Sequence, residues 1–178
     1  MAEGIELGTL RELAGYARLR REAPFAPFGP ARSRVDLLLD GPGWDPAGPP
    51  CYVEVKNVTA AEGGVAFFPD APTARGRRHL EALAAAAAAG RRAVLCFCVQ
   101  RGDVRALRPA EAIDPAYGEA LRRAARAGVE LLAYRARVSL EGLRLERRLP
   151  VRLRRGPRGG PASGPARQAL PRGRSSRE

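Results

Sequence analysis

The sequence predicts an α/β sandwich built on a mixed β-sheet. Three observations carry this. Strand-like segments precede, separate and follow two capped helices. One segment, Ala93 to Val99 (AVLCFCV), is continuously apolar, the pattern of a strand covered on both faces. Apolar residues make up 45% of the 178 residues, enough to build the core of one domain.

The elements follow in order. Residues 9–15 suit a short helix or turn, and Tyr16 to Phe25 (YARLRREAPF) a strand. A proline-rich link, PFGPA, leads to Arg34–Leu39 (RVDLLL), a compact apolar strand with one acid inside it. Residues 41–50 (GPGWDPAGPP) form a turn-rich loop. Cys51 to Val58 (CYVEVKNV) alternates and is β-branched, which predicts a strand. Residues 59–72 read as an irregular loop. Thr73 is placed to cap a helix that runs through Ala89, with Gly90 at the stop position. After the Ala93–Val99 strand, Asp114 caps a helix that opens with Pro115 and ends near Gly128. Val129–Val138 and Leu143–Leu149 are strands joined by a turn at Glu141-Gly142. No internal repeat is present, and the alanine run 84–89 reads as a packing face.

Charge is uneven. The chain carries 31 basic and 19 acidic residues, a net +12. Residues 151–178 hold eight arginines and one glutamate, +7 of that total, in a Gly/Pro/Ser-rich setting almost free of aliphatics. Such a segment buries too little to offset its ordering entropy, so 151–178 is predicted to be a disordered basic tail after a domain over 1–150. The tail is either a nonspecific phosphate-binding arm or a composition-driven extension. The charge suits a polyanion better than an acidic partner. No apolar run reaches about 18 residues, which excludes a membrane-spanning helix. The opening MAEGIELGTLRE lacks an apolar signal region, so a cytoplasmic protein is expected. Three cysteines without CxxC spacing exclude a disulfide framework and a cysteine zinc site.

Thirty of the basic residues are arginine, and one is lysine, Lys56. A sole lysine marks a position that needs a compact ammonium, unless chance kept it. Lys56 and Glu54 lie two apart on a predicted strand and so share a face. If that strand pairs with RVDLLL, Asp36 lies near Glu54. Two carboxylates and the main-chain carbonyl between Glu54 and Lys56 form an oxygen-rich site suited to Mg²⁺ or Mn²⁺. The lysine then orients or deprotonates water, or stabilises phosphorane charge. The other reading is a Glu–Lys pair on a solvated strand.

Arg75, Arg77 and Arg78 crowd the first turn of the next helix, where cations oppose the macrodipole. A phosphate bound there would offset that cost; otherwise the turn is simply solvated. His79, the only histidine, contacts phosphate or water, or is structural. Asp70 and Glu62 are accessory metal-shell acids or turn residues. Cys96 and Cys98 read as core. Trp44 anchors its loop or stacks on a base.

The segments RSRVDLLL, CYVEVKNVT, EGG…FPDAPTARGRRHL, GRRAVLCFCVQR and IDPAYGEALRRAARAGVELLAYRARVSLEGLRLERRLPV together resemble the sugar fermentation stimulation protein A family. The resemblance runs from about Leu13 to Val151. It implies a PD-(D/E)XK nuclease-like domain with a restriction-endonuclease-like mixed sheet flanked by helices. Asp36 and Glu54 would be its metal ligands and Lys56 its catalytic lysine. Glu62, Asp70, Arg75, Gly76 and His79 match the family's loop–helix block. Arg34, Arg75, Arg77, Arg78 and His79 are the expected nucleic-acid contacts. The resemblance also implies an N-terminal OB-like barrel, a common nucleic-acid platform, which is expected to be missing here. The family's opening helix, which carries a glutamate, is expected to fall largely before Met1.

These readings converge on a DNA-binding, Mg²⁺- or Mn²⁺-dependent nuclease, with RNA as a further substrate, no membrane partner and a homodimer left open. The alternatives are a non-catalytic DNA-binding regulator of sugar-utilisation genes, or an inactive truncated form.

Overall fold

The computed structural model describes residues 1–41, 49–140 and 142–153. A short helix α1 (Ala2–Glu6) and a 3₁₀ turn (Arg11–Leu13) precede three strands: β1 (Arg18–Pro24), β2 (Arg34–Asp40) and β3 (Cys51–Val58). Two short strands follow, β4 (Ala61–Glu62) and β5 (Val65–Phe68), and then helix α2 (Ala74–Ala88). The chain continues through β6 (Arg92–Val99), β7 (Ala106–Pro109), helix α3 (Pro115–Arg126), β8 (Glu130–Ser139) and β9 (Gly142–Arg148).

The main sheet has six strands in the order β1-β2-β3-β6-β8-β9. Its centre, β3-β6-β8, is parallel, and the flanking pairs are antiparallel, so the sheet is mixed as expected. Every residue of β6 after Arg92 is buried, because α2 and α3 cover one face and the N-terminal segment packs on the other. On the helix side, Leu95 and Phe97 pack with Leu80, Leu83, Leu121 and Ala124. On the far side, Val94, Cys96 and Cys98 pack with Ile5, Leu10 and Leu13. All three cysteines are free and buried.

The structure changes one sequence expectation and adds two observations. Residues 59–72 are not one irregular loop: β4 and β5 form a hairpin there, and β5 pairs with β7 to make a second, three-stranded sheet. Strands of two to four residues are too short to show a period, but their turn was readable. Gly63 and Gly64 have φ of +56° and +77°, the left-handed pair that a two-residue hairpin requires. Second, the sheet face that an opening helix would cover is packed by Ala2, Ile5, Leu10 and Leu13. Glu12 lies in this segment, where it accepts from the Tyr134 hydroxyl at 2.5 Å and holds Arg148. Third, the folded part passes the expected boundary at 150. Val151 bridges Leu107, and the Arg152 N–H donates to the Leu107 carbonyl at 2.8 Å. The tail over 154–178, Trp44 and the Glu141 turn position lie outside the described residues.

Candidate active site

The alternation of β3 decides which side chains meet. Cys51 and Val53 enter the core beneath the N-terminal segment, so Tyr52, Glu54 and Lys56 project to the helix side. β2 obeys the same rule from Leu37 to Leu39: Leu37 and Leu39 go to the far core and Leu38 to the helix side, while Val35 also packs on the helix side, so the alternation breaks at Asp36. The antiparallel register sets Leu37 against Val53. One step on, Asp36 stands beside Glu54, close enough to feel its charge. There the β2–β3 ladder ends, and the Val55 N–H donates to Asp36 Oδ2 at 2.6 Å. The carboxylate thus takes a donor that a continued ladder would use.

Glu54 is only 1% exposed, one of two buried charged residues of the described core. Lys56 Nζ donates to its Oε1 at 2.6 Å. His79, on the second turn of α2, brings Nδ1 against the same Oε1. The other ring nitrogen, Nε2, accepts from Arg75 Nε at 3.4 Å, which assigns the proton to Nδ1. Oε2 of Glu54 is buried and has no hydrogen-bond partner among the described residues. Burial pushes the Glu54 pKa up, but the hydrogen bonds from His79 and Lys56 outweigh it and hold the carboxyl below its ordinary value. Asp36 goes the other way. Burial raises it, the Val55 N–H lowers it, and the neighbouring Glu54 charge raises it further, for a net rise.

Helix α2 is aimed by one buried acid. Asp114 Oδ1 accepts from Tyr117 N at 2.9 Å and so caps α3. Its Oδ2 accepts from Thr73 N at 2.9 Å and from Arg77 at 2.9 Å. Thr73 in turn caps α2 through Gly76 N at 3.0 Å. The starts of both helices are tied to one carboxylate, and His79 rides one turn farther along α2. Tyr117 packs edge-on to Phe68 beneath the pocket, and its hydroxyl is buried without a partner among the described residues. Burial and the Glu54 charge push its pKa far up.

The predicted residues therefore divide. Glu54, Lys56 and His79 come together, with Asp36 beside them against the Val55 N–H and Arg75 at the rim. His79 faces Glu54 rather than open solvent, so it orients a carboxylate. Arg77 is committed to Asp114 and is part of the helix junction, not an open phosphate ligand. Arg78 and Arg34 are exposed, and Arg34 donates to the Glu22 carbonyl. Glu62 and Asp70 are exposed, and neither joins Asp36 and Glu54, because no group of three His, Cys, Asp or Glu side chains gathers at one point among the described residues. Asp114 and Tyr117 carry structural weight here that sequence reading did not assign. For Asp114 the readable signal was its cap position before Pro115; its ties to Thr73 and Arg77 were not readable.

A buried carboxylate oxygen with no donor costs about 1–3 kcal/mol. A cation would satisfy it. With Asp36 beside it, the donor set is hard oxygen, the kind that Mg²⁺, Mn²⁺ and Ca²⁺ prefer.

Comparison with known proteins identifies the family. Residues 1–142 match the family model described as the sugar fermentation stimulation protein RE domain. A sugar fermentation stimulation protein homolog of Geobacter sulfurreducens is 56% identical over 149 residues, 84% of this chain and 60% of the relative. The homolog of Halorhodospira halophila is 54% identical over 155 residues, 85% of this chain and 61% of the relative. The chain thus spans about three fifths of the length of the curated relatives it matches. The structure of Pyrococcus furiosus SfsA in complex with Ca²⁺ superposes with a TM-score of 0.73 at 32% identity, over 84% of this chain and 61% of that one. Among the described residues no helix is long and apolar enough to cross a membrane. On these matches, the chain belongs to the sugar fermentation stimulation protein family.

Proposed function

We propose that this chain is a divalent-metal-dependent nuclease domain that hydrolyses phosphodiester bonds in DNA, with RNA as a further substrate. The observation that carries the reading is Asp36, held by the Val55 N–H, standing beside Glu54 with the chain's only lysine bonded to that carboxylate. The Ca²⁺ complex of the Pyrococcus protein supports it, because Ca²⁺ and Mg²⁺ both take oxygen ligands. Asp36, Glu54 Oε2 and the Val55 carbonyl would hold Mg²⁺ or Mn²⁺. Two carboxylates suffice, since Mg²⁺ usually keeps several waters. Such an ion, when bound, acts as a Lewis acid and lowers the pKa of water.

The chain's own residues do the rest. His79 and the Lys56 ammonium pin Oε1 of Glu54, so Oε2 is presented in one orientation. Lys56 orients the attacking water and offsets negative charge on the pentacoordinate phosphorus. Arg34, Arg75 and Arg78 take flanking phosphates, contacts that position the strand without reading its sequence.

The test is cleavage of supercoiled plasmid and of single-stranded oligonucleotide by the 178-residue chain with Mg²⁺ or Mn²⁺, and with chelator. Metal-dependent nicking that Glu54→Ala and Lys56→Ala abolish is the expected result. Wild-type rates in both variants would overturn this mechanism. Salt-sensitive binding with no cleavage in any metal would transfer the reading to a non-catalytic DNA-binding regulator.

A further inference from the structure

The last two strands extend beyond the sheet. β8 pairs with β6 only from Glu130 to Arg135. From Ala136 to Ser139 its sole partner is β9, so the two form a ribbon that projects past the end of β6. The register shift between Arg135 and Ala136 marks where the ribbon departs.

Its residues are unusual for a free edge. Arg137 lies directly opposite Arg144, and Val138 directly opposite Leu143. Directly opposed side chains share a face, so one face carries two arginines and the other two aliphatics. Both arginines are exposed, and neither has an ion-pair partner among the described residues. Glu146, the nearest acid of β9, is taken by Arg135 at 2.6 Å. Like charges set opposite each other destabilise a ribbon unless an anion comes between them. Val138 is 60% exposed, Leu143 is 42% exposed and Leu140 at the tip is fully exposed.

The arginine face is also the catalytic face. On β8, Tyr134 and Ala136 enter the far core, while Ala133 packs on the helix side. Alternation puts Arg135 and Arg137 on that same helix side, which carries Glu54 and Lys56. Lys56 is level with Phe97 of β6 and Ala133 of β8. Arg137 is four residues farther along and two strands across, roughly 16 Å from Lys56 by ordinary strand spacings. A B-DNA major groove is about 12 Å wide and admits a two-stranded ribbon.

We propose that the β8–β9 ribbon is a DNA-gripping arm beside the catalytic pocket, in which Arg137 and Arg144 hold backbone phosphate while Val138, Leu140 and Leu143 lie against sugars and base edges in the groove. This rests on the nucleic-acid reading above and adds a contact surface separate from the α2 arginines and the tail. Charge decides the occupant: an opposed arginine pair is matched by phosphate and not by an apolar protein surface.

The experiment is fluorescence anisotropy of a short labelled duplex, titrated with the full chain in Ca²⁺ over a series of salt concentrations. The double variant Arg137→Gln/Arg144→Gln is compared with Arg91→Gln, which removes an exposed charge at the opposite end of the sheet. The double variant is expected to weaken binding about tenfold and to reduce the salt slope by about one per arginine, while Arg91→Gln leaves both near wild type. Leu140→Ser is expected to weaken binding with the slope unchanged. Wild-type binding in the double variant overturns the arm and leaves the nuclease reading standing. A wild-type chain that binds no duplex at low salt overturns the nucleic-acid reading itself, and the arm with it. A dimer that Leu140→Ser splits on sedimentation, with DNA binding intact, makes the ribbon an interface between copies and overturns the proposal. Arg91, Arg137, Leu140 and Arg144 belong to neither core, so thermal melts of all three variants should match wild type and exclude misfolding.

Discussion

His79 of α2 meets Glu54 of β3 at the one oxygen, Oε1, that Lys56 already holds at 2.6 Å. Both donors crowd a single atom, and the second oxygen is left buried and unpartnered among the described residues. The carboxylate is therefore clamped on one side and available on the other.

That clamp makes His79 a positioning residue for Glu54. His79→Ala frees the carboxylate to turn and should weaken Mn²⁺ binding about tenfold or more, the usual cost of losing a group that orients a metal ligand. His79→Asn, with an amide nitrogen near the place of Nδ1, should recover most of the affinity. Isothermal titration reads both, and an unchanged affinity in His79→Ala would remove His79 from the site.

Lys56 should show the opposite split. Lys56→Ala is expected to slow single-turnover cleavage by about 10²-fold or more. Its Mn²⁺ affinity should fall less than that of His79→Ala, because loss of one clamp on Oε1 is offset by removal of a positive charge beside the ion. Lys56→Arg should not restore the rate, since a broad planar guanidinium cannot take the place of a compact ammonium 17% exposed.

The helix junction gives a pH prediction. Asp114→Ala removes a cap worth about 1 kcal/mol and strands the Thr73 N–H and Arg77, for a total loss of about 2 kcal/mol. The Thr73 N–H, against burial and with help from Tyr117 N–H and Arg77, holds the Asp114 carboxyl below its ordinary value. A depressed folded-state value means the unfolded chain binds the proton more readily. The stabilisation is therefore complete above the unfolded value of about 4 and is lost as pH falls through the folded one. Thermal melts should show a constant gap between wild type and Asp114→Ala near neutrality, narrowing below about pH 4.

Gly76 tests the packing beneath the pocket. A Cβ there would lie 2.8 Å from Thr73 Cγ2, 3.0 Å from the capping Oγ1 and 3.2 Å from Tyr117 Cε2. Alanine is the better helix former by about 1 kcal/mol, but overpacking costs about 1–3 kcal/mol. Gly76→Ala should therefore be destabilising by about 1 kcal/mol. At Gly102 a Cβ meets nothing within 4 Å, and Gly102→Ala should stay within about 0.5 kcal/mol of wild type by denaturant titration.

Much of the site was readable one strand at a time. Alternation in CYVEVKNV was enough to put Glu54 and Lys56 on one face, and the acid within RVDLLL was visible as an exception to its apolar surroundings. Thr73 and Asp114 announced both helix starts, and the structure uses both as caps. These signals are local. A strand's face, a cap and a stop depend on residues within one turn or two positions.

What the tertiary structure decided lies between segments distant in the chain. Arg75, Arg77 and Arg78 look alike in sequence, yet Arg77 alone is drawn to Asp114, 37 residues away. His79 could not be told from a phosphate contact until α2 was docked over β3. Arg137 and Arg144 became a facing pair only through the register of the final hairpin. The physical reason is that periodicity fixes which side of an element a residue occupies, whereas partners across elements are set by register and docking. Those are chosen by the shared core, in which Leu95 and Phe97 must meet Leu83 and Leu121 before any charge finds its neighbour.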